Sequence, residues 1–345
     1  MVGENSVQIC ILFLDLTILN IYTILMKSLK YISLEVIYMQ LAMITIQQVL
    51  VLFVLIFAGF ICVKAGAVKI EGKKAFSDLL VYFVVPCMII NSYLTDFDSD
   101  IFRNILYALW LSVLLIAIGI AVTFILSMRI KDDNLPVVRF GCMFSNAAYM
   151  GFPLIQALFG SEGLIYASAF VTVFNILLWT LGYSVVSRTI SWKMVVKKIF
   201  TTPATLAVFA GIIIFVLRIP MPSVLHQAIS AAGAVNTPLS MFITGMIIAA
   251  SDIKKMFANK LVYFSIIVRM IIIPAICIAV FELLNIHGMV ANIVIILEAC
   301  PCAAITSVFA VQFNYDDDVA AASVVLTTLV SIVTLPIVAF VITTL

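Results

Sequence analysis

The sequence predicts an all-α membrane protein, and three observations support this fold class. Of its 345 residues, 65% are hydrophobic and only 10% are charged, which is too apolar for a water-soluble domain of this size. Apolar runs of about 17–25 residues recur along the chain, which is the length of a membrane-spanning helix and about twice that of an outer-membrane strand. The basic residues cluster in short loops between these runs. The small net charge of +2 gives no indication of a nucleic-acid partner.

Ten transmembrane helices account for the apolar runs. They are predicted at residues 45–63, 74–94, 101–128, 136–159, 163–186, 203–218, 224–250, 260–283, 289–312 and 317–343. Four of the connecting loops are rich in Lys and Arg, namely 64–74, 129–139, 188–198 and 254–260. By the positive-inside rule these loops are cytoplasmic, so both ends of the ten-helix unit face outward. The chain is therefore predicted to cross the cell membrane many times, with lipid around it.

The first 42 residues do not fit this plan. An extra span at 10–26 would contain Asp15 and would leave too short a run to return before helix 1. We interpret residues 1–42 as a peripheral or uncleaved N-terminal extension, or as the result of a start upstream of Met39 or Met43.

The ten helices divide into two sets of five, at residues 43–190 and 200–345. Because each set has an odd number of helices, the second set enters the membrane from the opposite side, so any structural repeat must be inverted. Prolines recur at similar offsets: Pro86 in helix 2 has a counterpart in Pro238 of helix 7, and Pro153 in helix 4 has one in Pro301 of helix 9. Membrane helices often contain proline, so this pairing alone does not establish the repeat.

Helix 4 is predicted to be broken. Its stretch GCMFSNAAYMGFPLIQALFG, residues 141–160, holds Ser145, Asn146, Gly151 and Pro153 in the middle of an apolar segment. Pro153 has no N–H and displaces the carbonyl four residues back, and Gly151 permits the departure from helical geometry. Residues 145–152 should therefore lose helical hydrogen bonds, and the helix should resume at Pro153. Helix 9 repeats the arrangement at Pro301, from the other side of the membrane.

Two half-helix N-termini that face each other near the membrane midplane would attract an anion, because their free N–H groups and dipoles carry partial positive charge. The candidate substrate ligands are the residues of this layer. They are Asn146, Tyr149, Gly151, Pro153, Pro301 and Arg269.

Two charged residues lie well inside predicted helices, Arg269 in helix 8 and Glu298 in helix 9. Each costs about 2.5–3.5 kcal/mol at a helix centre, so a partner or a function is expected. One interpretation is a buried Arg–Glu pair between the two helices. The other assigns Glu298, with Ser145 and Asn146, to a coupling H⁺ or Na⁺ ion, because a bare carboxylate would repel an anionic substrate. Asn146 has the simpler alternative of capping freed backbone groups.

Motifs for catalysis and metal binding are lacking. The two histidines, His226 and His287, lie near predicted outer boundaries, and the chain has neither a G-x-S-x-G elbow nor an H-E-x-x-H pair. The seven cysteines have no regular spacing, and the C-P-C triplet at 300–302 has no further Cys or His nearby in the sequence. We expect no enzyme, no metal and no cofactor other than a coupling ion.

The sequence resembles the auxin efflux carrier family, which is related in fold to the bile acid:sodium symporters. The matching pieces are VYFVVPCMIINSY in helix 2, SNAAYMGFPL in helix 4, VNTPLSMFITGMIIA in helix 7, RMIIIP in helix 8 and EACPCAAITSVFAVQFNYDDDVAAASVVLTTLVSIVTLPI in helices 9 and 10. The resemblance covers about residues 43–345. It implies a 5+5 inverted repeat of ten helices, broken helices 4 and 9 that cross, and alternating access by movement of a crossover-containing bundle against a scaffold.

The same resemblance implies an organic anion as substrate, since members are associated with auxin, malate and malonate. The long hydrophilic loop of the plant carriers is absent here and the crossover differs, so auxin itself is not expected. We predict a secondary transporter of a small mono- or dicarboxylate, driven by H⁺ or Na⁺. An intramembrane enzyme, or a channel or sensor on the same fold, is the alternative, and association into a homodimer stays open.

Overall fold

The computed structural model describes residues 47, 50–96, 98–188, 201–250 and 259–344. Over these residues its regular secondary structure is helical, without a β-strand. The N-terminal extension 1–42 and most of the predicted basic loops 188–198 and 254–260 lie outside the described residues. The prediction of an all-α membrane protein is confirmed.

Fifteen α-helical segments follow one another along the described chain. They are α1 (Leu50–Lys64), α2 (Lys73–Leu79), α3 (Val85–Tyr93), α4 (Ser99–Ser127), α5 (Leu135–Met143), α6 (Phe152–Leu177), α7 (Tyr183–Ser187), α8 (Pro203–Leu217), α9 (Ser223–Ala234), α10 (Asn236–Ala250), α11 (Lys260–Ile267), α12 (Ile273–Leu283), α13 (Met289–Ala299), α14 (Ile305–Gln312) and α15 (Asp317–Thr344).

Six helical stretches of the described chain are long and apolar enough to cross a membrane. They are Ile70–Tyr93, Ser99–Ser127, Ala147–Ser187, Ser223–Ala250, Lys260–Leu283 and Asp318–Ile342. The segments α1, α8 and α13 are apolar but shorter. The longest stretch, Ala147–Ser187, has a helical break at Gly160, where φ is 64° and ψ is −154°. This glycine lies between the predicted helices 4 and 5.

Three prolines follow a π-helical turn and leave the helix continuous. The turns Leu80–Val84, Ala147–Gly151 and Val268–Ile272 each precede an α-helix with Pro at its second residue, and these are Pro86, Pro153 and Pro274. In each turn the residue before the proline donates its N–H to the carbonyl five residues back. The wider turn makes room for the proline ring, so the proline does not end the helix.

The helices pack in two groups. One group consists of the six segments α1–α3 and α8–α10, which cover the four predicted helices 1, 2, 6 and 7, and we call it the four-helix group. In it, α3 packs on α8 and α9, and α2 packs on α10. Helix α1 completes this group by close backbone contacts with α10, where Gly59 lies on the carbonyl of Phe242 and Gly245 lies on the carbonyl of Ile56. Close backbone approach at a glycine is typical of membrane helix pairs. The remaining helices form the crossover group, in which α4, α6 and α13 pack together and α11 packs along α15.

Loops of the crossover group meet at one end of the molecule. The N–H of Asp316 donates to Oδ1 of Asn134 at 2.9 Å, which joins the loop before α15 to the loop before α5. A cavity of about 510 Å³ at this end is lined by Asp132, Lys260 and Asp318, among others. The loops 129–139 and 254–260, both predicted to be cytoplasmic, therefore reach the same end through the residues that the structure describes.

Candidate functional site

Both predicted breaks are present in the structure. Helix α5 ends at Met143 and helical geometry resumes at Ala147, whereas α13 ends at Ala299 and α14 begins at Ile305. The residues just after the first halves, Phe144 and Cys300, are extended, with ψ of 122° and 155°. We call residues 144–146 and 300–304 together the crossover.

The two breaks satisfy each other's backbone. Asn146 N–H donates to the Pro301 carbonyl at 2.7 Å, and Ala303 N–H donates to the Phe144 carbonyl at 2.9 Å. Ser145 and Cys302 are thereby paired in antiparallel fashion. Inside a membrane, backbone that leaves the helix needs such partners, because lipid offers none. The broken helices 4 and 9 therefore meet directly at their breaks.

The position of Pro153 differs from the prediction. Helical geometry resumes at Ala147, six residues before Pro153, because the π-helical turn Ala147–Gly151 accommodates this proline. The first turn closes on Asn146, whose carbonyl accepts from the N–H groups of Met150 and Gly151. Pro301, in contrast, lies inside the break itself. The prediction that Pro153 starts the second half-helix was wrong, and the two prolines are not locally equivalent.

Arg269 holds the C-terminal ends of both first half-helices. Its Nε donates to the Cys300 carbonyl at 3.0 Å, its Nη1 donates to the Cys142 carbonyl at 3.1 Å, and its Nη2 donates to the carbonyl of Glu298. These carbonyls are at helix ends, where they lack helical partners and carry partial negative charge. The guanidinium, itself 0% exposed, therefore neutralises two helix ends at once.

Arg269 also pairs with Glu298. Nη1 lies 2.9 Å from Oε1 of this carboxylate, which is 1% exposed. The predicted buried pair between helices 8 and 9 is confirmed. With this contact, four of the five N–H groups of Arg269 have protein acceptors. Gly119 of α4 makes the room for the carboxylate, because a Cβ there would lie 2.8 Å from Oε1.

The N-terminal ends of the second half-helices, unlike the C-terminal ends held by Arg269, have no side-chain cap. The N-cap residues of the second half-helices, Asn146 and Ala304, make no side-chain cap hydrogen bond. Residues in or beside these first turns are partly exposed: Ala148 and Tyr149 on one side, Ala304 and Ile305 on the other. The accessible ends of the crossover therefore carry the positive poles of two helices, while the negative poles are buried behind them with Arg269.

Three buried hydroxyl groups without a hydrogen-bond partner lie in or next to the crossover. Among the described residues, Ser145 Oγ at the break and Thr306 Oγ1 and Ser307 Oγ in the first turn of α14 lack a hydrogen bond. Unpaired buried polar groups are rare in proteins because each costs free energy. Sequence analysis named Ser145 but missed Thr306 and Ser307, which lie two and three residues after the break at 300–304, in an unremarkable AITS stretch.

Tyr149 reaches from the crossover group towards the four-helix group. Its hydroxyl lies close to the side chain of Ser77 in α2, and the charge of the neighbouring Asp78 acts on it. Ser77 is partly exposed and Asp78 is exposed. Gly151, two residues along, is needed for close packing, because a Cβ there would overlap the Leu297 side chain and lie 3.5 Å from Cys300 Sγ. Gly151 thus contacts α13 and not the accessible side of the crossover.

Three cysteines lie in or beside the crossover. Cys142, Cys300 and Cys302 are fully buried there, and all are free thiols. Within the described ranges, no group of three or more His, Cys, Asp or Glu side chains is arranged to hold a metal ion.

Comparison with known proteins finds one matching family and several relatives. The profile of the family described as membrane transport protein matches residues 44–191 and 187–339. An uncharacterized transporter of Methanocaldococcus jannaschii is 24% identical over 292 residues, which are 79% of this chain and 91% of that protein. A probable auxin efflux carrier component 9 of Oryza sativa is 26% identical over 143 residues, 40% of this chain and 34% of the relative. Auxin efflux carrier component 4 of Arabidopsis thaliana is 23% identical over 141 residues, 41% of this chain and 23% of the relative.

Proposed function

Because this chain belongs to the membrane transport protein family, the family of the auxin efflux carriers, we propose that it is a secondary active transporter of a small organic anion. The substrate is a mono- or dicarboxylate of the malate or malonate type, and it crosses the cell membrane by alternating access. The chain is a multi-pass membrane protein.

The observation that carries the proposal is the uneven charge of the crossover. Its two negative helix ends are covered by Arg269, and its two positive helix ends are partly exposed and have no side-chain cap. A carboxylate that approaches this side meets free N–H groups and partial positive charge, which bind anions well in a medium of low dielectric. The hydroxyl groups of Ser145, Thr306 and Ser307 supply further donors.

In the proposed architecture, ten spanning helices form a 5+5 inverted repeat, with halves at 43–190 and 200–345. The crossover group carries the substrate and moves against the four-helix group. The packing of the helices in two groups and the crossing of two broken helices support this assignment, since carriers with inverted repeats bind substrate at broken helices near the midplane.

Glu298, together with Ser145 and Asn146, is proposed to couple transport to an H⁺ or Na⁺ gradient. Neutralisation of Glu298 by a proton or Na⁺ would release Arg269 from its carboxylate partner while the three carbonyl contacts remain. The crossover would then gain net positive charge, which favours an anion. Arg269 is thus proposed to act on the substrate through its field, because its N–H groups are largely used by the protein.

Reconstituted protein tests this function. Proteoliposomes with imposed pH or Na⁺ gradients are offered radiolabelled acetate, malonate or malate, and uptake is measured against concentration. Saturable uptake that follows one of the gradients is expected. Conductance without saturation would indicate a channel, and the absence of uptake and of counterflow for every carboxylate would refute the proposal.

A further inference from the structure

A buried amide on the four-helix group has no structural partner. Asn236 is 0% exposed, and neither Oδ1 nor Nδ2 of its side chain has a hydrogen-bond partner. A primary amide offers one acceptor and two donor hydrogens, so an unpaired one is more costly than an unpaired hydroxyl. Asn236 stands out for this reason among the buried polar residues of the described chain.

Asn236 does not act as a helix cap, which is the usual structural role of an Asn at a helix start. Asn236 is the first residue of α10, directly after the turn at Val235 that separates α10 from α9. An Asn at the start of a helix commonly accepts a hydrogen bond from the first turn. Here Oδ1 accepts none, so the amide does not stabilise the helix end.

Its place in the fold points to the crossover. Helix α10 packs on the π-helical turn Ala147–Gly151, the first turn after the break in helix 4. One turn before Asn236, Gly233 contacts the backbone of Met88 in the middle of α3. Further along α10, Phe242 packs against Phe76 in the middle of α2. Asn236 therefore lies in the inner part of the four-helix group, on the helix that faces the proposed substrate site.

We propose that Asn236 is the specificity-determining contact of the four-helix group for the second polar end of the substrate. This inference rests on the proposed function. One carboxylate binds at the positive helix ends of the crossover, and the amide of Asn236 binds a polar group on the far end. Nδ2 donates to a second carboxylate and Oδ1 accepts from a hydroxyl, so malonate and malate fit and acetate leaves the amide unpaired.

The expected preference for malonate and malate over acetate has a physical cause. When a site is built to hydrogen-bond a polar group, a ligand that lacks the group leaves the site's buried partner unpaired and binds far more weakly. A second carboxylate accepts from Nδ2 and removes part of the energetic cost that Asn236 carries in the empty protein, and the hydroxyl of malate, which donates to Oδ1, removes more of it. A monocarboxylate does not remove it.

Ligand-dependent melting of the purified full-length chain tests the inference. Parent and Asn236→Leu proteins are titrated with acetate, malonate and malate. Asn236→Leu should melt at the parent temperature or higher, and should bind malonate and malate about tenfold or more weakly while acetate binding is unchanged. Thr123→Val is the matched control, since Thr123 is also buried with an unpaired hydroxyl but lies on α4 in the crossover group. It should not change the affinity for any of the three.

The possible results separate the two proposals. Carboxylate binding in the parent with unchanged malonate and malate affinity in Asn236→Leu overturns the role of Asn236 and leaves the proposed function standing. Absence of binding for all three carboxylates in the parent overturns both. If Asn236→Leu does not fold, Asn236→Ser is measured in its place; lower melting temperatures for both variants would show that the amide is structural, against the inference.

Discussion

The hydroxyl of Tyr93 lies 2.8 Å from Oγ of Ser168, and this hydrogen bond joins the two helix groups. Ser168 Oγ donates to the Ile165 carbonyl at 2.7 Å, so Tyr93 is the donor to Ser168. Both residues are fully buried. The Tyr93 ring is held within the four-helix group, where it packs edge-on against Phe215 and leaves no room for a side chain at Gly211. Tyr93 and Ser168 therefore hold the interface closed at its predicted outer end.

Tyr93→Phe should loosen this end of the interface. The substitution removes one buried hydrogen bond, worth about 0.5–1.5 kcal/mol, so local opening should rise roughly 2- to 10-fold. Hydrogen exchange followed by mass spectrometry should show faster exchange around residues 88–94 and 163–173. Tyr166→Phe is the control, because the Tyr166 hydroxyl bonds to Glu162 at 2.7 Å within the crossover group. Equal changes in both variants would show that Tyr93 has no special role between the groups.

Glu298→Gln should abolish gradient-driven transport while the protein still inserts and folds. Glutamine keeps an oxygen for Arg269 but has no charge that a proton or Na⁺ could neutralise. Uptake into proteoliposomes with and without the gradient measures the effect. Glu282→Gln is the control, since Glu282 is a partly exposed carboxylate 3.5 Å from Nδ1 of His287. Gradient dependence equal to that of the parent would remove Glu298 from the coupling mechanism.

Removal of Arg269 alone should destabilise the protein more than removal of both charges of the Arg269–Glu298 pair. Arg269→Gln leaves a buried carboxylate without its cation, which costs about 3–5 kcal/mol, in addition to the lost carbonyl contacts. The double variant Arg269→Gln/Glu298→Gln loses the same carbonyl contacts but leaves no buried charge. It should therefore melt at a higher temperature than Arg269→Gln. The exposed pair Arg103–Asp100, 3.2 Å apart, is the control and should show little coupling. A double variant less stable than Arg269→Gln would contradict this account of the charge pair.

Pro301→Ala should weaken carboxylate binding more than Pro153→Ala does. Pro301 lies in the break, where its carbonyl accepts from Asn146, and an alanine there adds a buried N–H and freedom to the extended segment. At Pro153 the π-helical turn already provides helical bonding, so an alanine leaves the crossover in place. Affinity for malonate, measured by ligand-dependent melting, compares the two. Similar losses in both variants would mean that the turn at 147–151 depends on Pro153 after all.

The sequence predicted where the two helices break but not how. Ser145, Asn146 and Pro301 are local signals, since polar or helix-breaking residues in an apolar run indicate lost helical bonds wherever the segment packs. The point at which helix 4 resumes depends on the backbone of the other break, because Asn146 is fixed by the Pro301 carbonyl across 155 positions of sequence. No local pattern predicts such a pairing.

The same limit applies to the charged residues and to Asn236. The burial of Arg269 and Glu298 followed from their position in apolar runs, whereas their pairing was one of two interpretations. That Arg269 also holds the ends of two helices depends on the crossing of those helices, which only the folded chain provides. In the sequence Asn236 lies inside the predicted helix 7, residues 224–250, and nothing there marks it. Its importance rests on an absence of hydrogen-bond partners that a sequence does not contain.

Gly119→Ala should disturb the Arg269–Glu298 pair, because Gly119 lies next to Glu298 in the fold although it is far from it in the sequence. The added Cβ would lie 2.8 Å from Glu298 Oε1 and 3.7 Å from the Ile273 side chain, while Oε1 is held by Arg269 and has little freedom to move. Overpacking of this kind costs about 1–3 kcal/mol, so the melting temperature should fall and gradient-driven uptake should decline with it. Gly72→Ala is the control, because a Cβ there meets only the Phe76 ring at 3.7 Å. If Gly119→Ala melts like the parent, the Glu298 carboxylate can move away from Arg269. The Arg269–Glu298 contact would then be weaker than its distance indicates.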